Sequence, residues 1–366
     1  MKILLLAAAS SIHTVRWANA LAQSNVEVVL ATQHDPSENL DAAIQVHRLP
    51  YSGEAGYFRN TGALRAILAA EKPDLLNAHY ASGYGTTARF SGFRPYLLSV
   101  WGSDVYDFPQ KSQIHRWWAR GNLLAADRIA STSHAMAEQA KHIESRLHNI
   151  AITPFGVDTD LFAPGERKKS GSDTPIVIGT VKTMSPKYGI DTLIDSVALL
   201  IDGLKLDHPE VAGRIRLRLV GGGPQAEELK TRCHDRGIAA ISDFQGHVAH
   251  GEVPDHLRQL DIYVALSRHE SFGVAVIEAG ACGLPVVVSD VGGLPEVVVE
   301  GETGLVVTRD DPDAGAKALR QLVLDSNLGR RMGAAGRKHV VSHFEWKDNV
   351  SAMISLYKSV IAETRA

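Results

Sequence analysis

Two glutamates, Glu270 and Glu278, stand eight positions apart in the run SRHESFGVAVIEAGACGLPVVV of residues 267–288. Between them a Ser271-Phe272-Gly273 turn opens into an apolar helical pattern beginning at Val274. A carboxylate inside the string Val274-Ala275-Val276-Ile277-Glu278-Ala279 has little water around it, and burying it without a partner costs several kcal/mol. The turn leaves free amide N–H groups at a helix start, where backbone donors and the helix dipole favour an anion such as a phosphate. One carboxylate then sits before an anion hole and the other about two turns past it. A nucleotide diphosphate-sugar fits that layout, with the diphosphate on the helix start, the ribose diol on Glu278 and sugar hydroxyls beside Glu270. An amphipathic helix with one carboxylate tied to a neighbouring Arg or His fits it as well.

Other strings carry compatible chemistry. Lys182 and Lys187, in GTVKTMSPKYGIDTLI, follow an expected strand; two cations in such a loop can straddle a diphosphate and neutralise the charge left when a sugar departs. A solvated lysine loop is the alternative. Gly221-Gly222-Gly223-Pro224 makes a strand-to-helix turn where a ligand or another backbone can approach closely. It lacks the spaced glycines of a dinucleotide site, and no P-loop string occurs, so redox-cofactor and ATPase readings lose their support. His79 closes the strand DLLNAH and could exchange a hydrogen bond with a reacting sugar, or be a structural histidine among sixteen. The loop Trp101-Gly102-Ser103-Asp104 offers an aromatic face and a carboxylate to a sugar acceptor, and these residue types equally fill cores and cap helices. Asp158-Thr159-Asp160 has metal-binding D-x-D spacing but falls in a Pro/Gly-rich stretch and reads as turn chemistry.

Positioning these residues takes a regular scaffold. Short apolar runs alternate with helical patterns, the signature of parallel sheets covered by helices on both faces. The runs are Ile3–Leu6, Val26–Ala31, Ile44–Leu49, Asp74–His79, Pro95–Val100, Arg128–Ser131 and Asn149–Thr153, with helices such as His13–Gln23 and Thr61–Ala70 between them. The pattern breaks at 153–165 and the polar ERKKSGSD, then resumes at Pro175–Val181, Arg216–Val220, Asp261–Leu266, Pro285–Ser289 and Gly304–Val307. The chain of 366 residues therefore reads as α/β, with two doubly wound Rossmann-like domains facing a central cleft, 1–163 and 164–344. A formal charge of −3 gives no footprint for nucleic acid, and Cys233 and Cys282 lack metal or redox spacing. No run approaches the ~20 apolar residues of a membrane span. Residues 111–128, KSQIHRWWARGNLLAADR, read either as an interfacial helix or as an ordinary amphipathic surface helix.

Taken together these strings resemble a retaining glycosyltransferase of family 4 with the GT-B fold. The resemblance rests on Lys182 and Lys187, LVGGGP, the QGHV loop with His247 and Val248, the block from Ser267 to Gly304, His79, WGSD, ASTSHAM, PFGVDTDLF and the final stretch 345–366. It implies that Glu278 holds ribose, that Glu270, Gly222, His247, Val248 and the amides of Ser271, Phe272, Gly273 and Val274 hold sugar and nucleotide, and that the lysines hold phosphate. His79 would lie beside the transferred sugar, with Ser11, His13, Trp101 and Asp104 on the acceptor side of the first domain. The final helix would pack back onto that domain. Metal and cofactor are expected to be absent, because protein cations stabilise the leaving diphosphate. Lys182 departs from the family's common arginine, Ser10-Ser11-Ile12-His13 from its glycine-rich first turn, and Phe155 from a common asparagine. The expected activity is sugar transfer from a nucleotide-sugar, UDP-N-acetylhexosamine first and GDP-mannose second, to a saccharide or lipid-linked acceptor in bacterial envelope glycan synthesis. The expected location is cytoplasmic, peripheral membrane contact being an open alternative. A nucleotide-sugar epimerase on the same scaffold and a non-catalytic nucleotide-sugar binding protein are the rival readings.

Overall fold

The inner strands of the first sheet come from largely apolar runs, as strands buried on both faces must, whereas its edge run QVHR is polar and partly exposed. In a computed structural model describing residues 1–148, 150–165 and 174–365, these runs form β1 (Lys2–Leu6), β2 (Glu27–Thr32), β3 (Gln45–Arg48), β4 (Leu75–His79), β5 (Tyr96–Val100), β6 (Arg128–Ser131) and β7 (Ile150–Ile152). Residue 149 of the last expected strand and the polar run 166–173, the second part of the stretch 153–173 expected to link the domains, lie outside the described residues. The strands pair in parallel in the order β3-β2-β1-β4-β5-β6-β7. Chain order reverses beside β1, so the carboxyl ends of β1 and β4 make the switch point where ligands bind in such sheets.

The second sheet contains β8 (Ile176–Val181), β9 (Ile215–Val220), β10 (Ser242–Gly246), β11 (Ile262–Ala265), β12 (Val286–Ser289) and β13 (Gly304–Val307). All pairs are parallel, in the order β10-β9-β8-β11-β12-β13, and the switch point falls between β8 and β11. Strand β10 was not among the expected strands. Its sequence SDFQG lacks an apolar run because it is a largely exposed edge strand, pairing with β9 alone.

The chain divides into two compact units, residues 1–154 with those from 347 onward, and residues 155–346. The motif-based expectation placed the first boundary after residue 163. Residues 155–165 instead pack with the second unit: Arg258 donates to the Ala163 carbonyl, Arg337 to that of Thr159, and the Phe155 ring meets Phe272 edge-on. Within the same stretch the Asp158 carboxylate accepts the amides of Asp160 and Leu161, a turn of the kind expected there. The helix Trp346–Arg365 is tied to the first unit by Tyr357, whose hydroxyl reaches Asn77 of β4 at 2.9 Å. No helix among the described residues is long and apolar enough to cross a membrane.

Candidate active site

In the second unit Lys182 is the first residue after β8, and Glu270 lies in the loop after β11, so both stand at the switch point. The Lys182 Nζ meets a Glu270 carboxylate oxygen at 2.6 Å, with the side chains only 15% and 11% exposed. Burial alone would push the lysine down, but Glu270, with Tyr263 and Tyr188, outweighs it and holds the ammonium above its ordinary range. Lys182 is therefore a fixed positive charge at neutral pH. The helix Val274–Ala281 starts behind Gly273, which is left-handed (φ 111°) and provides no side-chain cap. Its first amides point out of the helix without intrahelical acceptors, as an anion requires. Glu278 lies inside this helix, 6% exposed.

Close backbone contacts fix these loops. The Lys187 carbonyl accepts the amides of Arg268 and His269 at 2.8 and 3.1 Å, locking the loop after β8 to the loop after β11. Arg268 makes a two-pronged pair with Asp191 and also reaches Asp310. Gly292, after β12, has φ 53°, and a Cβ there would lie 1.8 Å from the Glu270 carbonyl, so only glycine lets that turn support Glu270. In the glycine turn after β9, Cβ atoms at Gly221 and Gly223 would strike the carbonyls of Lys182 and Met184, whereas one at Gly222 would meet His247 at 3.7 Å. The outer two glycines thus serve backbone packing. Gly222 lies beside His247 at the end of β10, where His247 is exposed and Val248 half-buried.

In the first unit His79 ends β4 and is buried; its Nδ1 has no hydrogen-bond partner. Burial, with a smaller contribution from His13, lowers its pKa to about 3. At neutral pH the ring is uncharged, a hydrogen-bonding group and not a cation. It packs on Trp101, ring centres 4.1 Å apart, and His13 meets the same indole edge-on at 6.0 Å. Ser11 precedes the helix Ile12–Gln23 just beyond β1. His79, Trp101, His13 and Ser11 thus gather at that unit's switch point. Asp104, expected to offer its carboxylate to an acceptor, is fully buried and spends it on the backbone: one oxygen accepts the Ala81 amide at 2.7 Å and the other those of Trp101 and Gly102. Burial raises its pKa, and these amides oppose the rise. Asp104 joins the loops after β4 and β5; it positions Trp101.

Sequence reasoning missed Tyr188, Tyr263 and Arg268. Tyr188 lies with its ring centre 4.5 Å from the Lys182 Nζ and 4.8 Å from the Lys187 Nζ. Tyr263 is buried in β11, its pKa pushed up to about 12 by burial against the opposing pull of Lys182. A tyrosine between the second lysine and Gly189 was the available signal for the first; the other two had none. Among the described residues no group of three or more His, Cys, Asp or Glu could hold a metal ion.

The model of glycosyl transferases group 1 matches residues 163–339, and that of glycosyl transferase 4-like proteins residues 2–133. A D-inositol 3-phosphate glycosyltransferase of Streptomyces scabiei is 32% identical over 97% of this chain and 87% of its own length. The chain belongs to glycosyltransferase family 4. A GDP-mannose-dependent alpha-(1-6)-phosphatidylinositol monomannoside mannosyltransferase of Mycolicibacterium smegmatis is 33% identical over 56% of the chain and 54% of its own. Against a Streptomyces avermitilis relative the chain likewise spans about half, 54%, of that protein's length. The GT-B fold is shared with sucrose-phosphate synthase of Thermosynechococcus elongatus, with TM-score 0.83 and 23% identity over 99% of this chain and all of that one.

Proposed function

We propose that this glycosyltransferase moves a sugar from a nucleotide-sugar to a saccharide or lipid-linked acceptor, with retention of configuration and without a metal, in bacterial envelope glycan synthesis. The observation that carries the reading is the Lys182–Glu270 pair at a switch point that also has an uncapped helix start with Glu278 inside it. Lys182 and Lys187 offset the charge of the departing diphosphate, the amides from Ser271 to Val274 take its oxygens, Glu278 takes the ribose and Glu270 the sugar hydroxyls. Gly222, His247 and Val248 line the nucleotide. Neutral His79, with Ser11, His13 and Trp101, belongs to the sugar and acceptor side. The departing phosphate takes the acceptor's proton, so no side chain serves as general base. A UDP-sugar, N-acetylhexosamine foremost, is the first donor to test; GDP-mannose is the second, favoured by the mannosyltransferase relative.

An NMR time course with each donor, with and without candidate acceptors, tests this. Sugar appearing on the acceptor with unchanged anomeric configuration in EDTA is the expected result. Epimerised donor without acceptor would establish the epimerase, and intact donor under all conditions with bound nucleotide would establish a binding protein. The site of action proposed is the cytoplasmic face of the membrane. An aromatic surface around the helix Gln113–Ala125 supports this, with Ile114 73% and Trp117 60% exposed, the rings of Phe58 and Phe90 against Trp118, and Lys111, Arg116 and Arg120 nearby.

A further inference from the structure

Tyr188 is held more firmly than a loop tyrosine needs to be. It ends the 3₁₀ turn Pro186–Tyr188. The residue before it is pinned through its carbonyl by Arg268 and His269, and the residue after it, Gly189 (φ 59°), is packed so closely that a Cβ would lie 1.8 Å from the Leu266 carbonyl. The turn is thus fixed on both sides to the end of β11. Its half-buried ring presents a π-face near two ammonium groups, at 4.5 and 4.8 Å from its centre. Such contacts attract a cation through the ring quadrupole, and more strongly where water is partly excluded.

Two lysines serving one diphosphate repel each other, so each needs a neighbour that holds it in place. Glu270 restrains Lys182, while Lys187 is exposed and has the ring as its fixed neighbour. We infer that Tyr188 is a positioning residue that holds Lys182 and Lys187 ready for a diphosphate, working through its π-face and not its hydroxyl. The inference rests on the donor-site reading above. An apolar filler packed on the core would be the blander role, since Tyr188 also touches the core of this unit. Leucine separates the two roles because it keeps apolar bulk but has no π-face; phenylalanine keeps both.

The test is calorimetric titration of UDP, GDP and inorganic pyrophosphate into the wild type, Tyr188→Phe, Tyr188→Leu, Lys187→Met and the Tyr188→Leu/Lys187→Met double variant, each first checked by thermal melting. The expected result is affinity near wild type for Tyr188→Phe and about tenfold weaker binding for Tyr188→Leu. In the double variant the two losses should be less than additive, because both remove one contact. Undiminished binding by Tyr188→Leu, equal loss in Tyr188→Phe, or strictly additive losses overturns the role of Tyr188 while leaving the donor site standing. Failure of the wild type to bind all three probes overturns the donor-site reading and this role with it.

Discussion

His79 and Lys182 show how burial without and with a carboxylate partner leaves two basic residues in opposite charge states. Buried His79 is held neutral down to about pH 3. The unfolded chain takes up a proton at this position near pH 6.5 and the folded one does not, so the folded state loses stability as pH falls from about 6.5 towards 3. The loss is at most about 5 kcal/mol. Urea unfolding at pH 7 and 4.5 should therefore show a smaller acid loss in His79→Asn than in the wild type; identical losses would mean that His79 is not kept neutral by the fold. Lys182 keeps its charge because Glu270 faces it at 2.6 Å. Lys182→Met strands that carboxylate and should cost about 2 kcal/mol, less than the ~3–5 of a fully buried pair, since both groups keep some exposure. Chemical denaturation checks this, and an unchanged midpoint would show the pair to be a loose surface contact. The residues at 182, 270 and 278 could be singled out in the sequence as groups that a nucleotide-sugar would need. Their pairing was not, because Lys182 and Glu270 meet only across two strands. Asp104 misled for a similar reason: sequence offers a carboxylate, and only the fold shows backbone amides on both its oxygens.

The strands were the most legible elements, since parallel strands buried on both faces must be apolar throughout. Arg128–Ser131 and Gly304–Val307 coincide with their expected bounds, and most others shift by a residue at one or both ends. Strand β10 escaped because an exposed edge strand needs no such pattern. Pro and Gly signals marked a break at 153–165, where a linker was expected, but said nothing of what the stretch packs against; residues 155–165 belong with the second unit. Glycine turns make a sharper element-level prediction. Gly292→Ala places a Cβ against the Glu270 carbonyl and should cost about 3 kcal/mol or displace the turn, weakening nucleotide binding with it. Gly301→Ala, at φ 74° with open space around it, should cost about 1 kcal/mol and leave binding intact. Thermal melts with nucleotide titration compare the two. Equal effects would show that strain alone, and not support of Glu270, decides the role of Gly292.

Two sheets of the same doubly wound kind, each with its switch point occupied by polar side chains, explain why a chain with no single decisive motif still reads as an enzyme. The alternation of elements is a property of the full sequence and survived every local error. The aromatic surface of the first unit is a further whole-chain property, because Phe58, Phe90 and Trp117 come from three different helices. The chain should float with vesicles containing anionic lipid, and Ile114→Ser with Trp117→Ser should abolish flotation without changing melting temperature; a wild type that stays at the bottom of the gradient removes membrane contact. The donor site itself is best tested by thermal shift with UDP, GDP and ADP in EDTA, on the wild type and on Glu278→Gln. One diphosphate should stabilise the wild type, and Glu278→Gln, still folded, should lose about tenfold in affinity for it. Stabilisation by none of the three, an absolute need for a divalent metal, or undiminished binding by Glu278→Gln would contradict a donor site built on Lys182, Glu270 and Glu278.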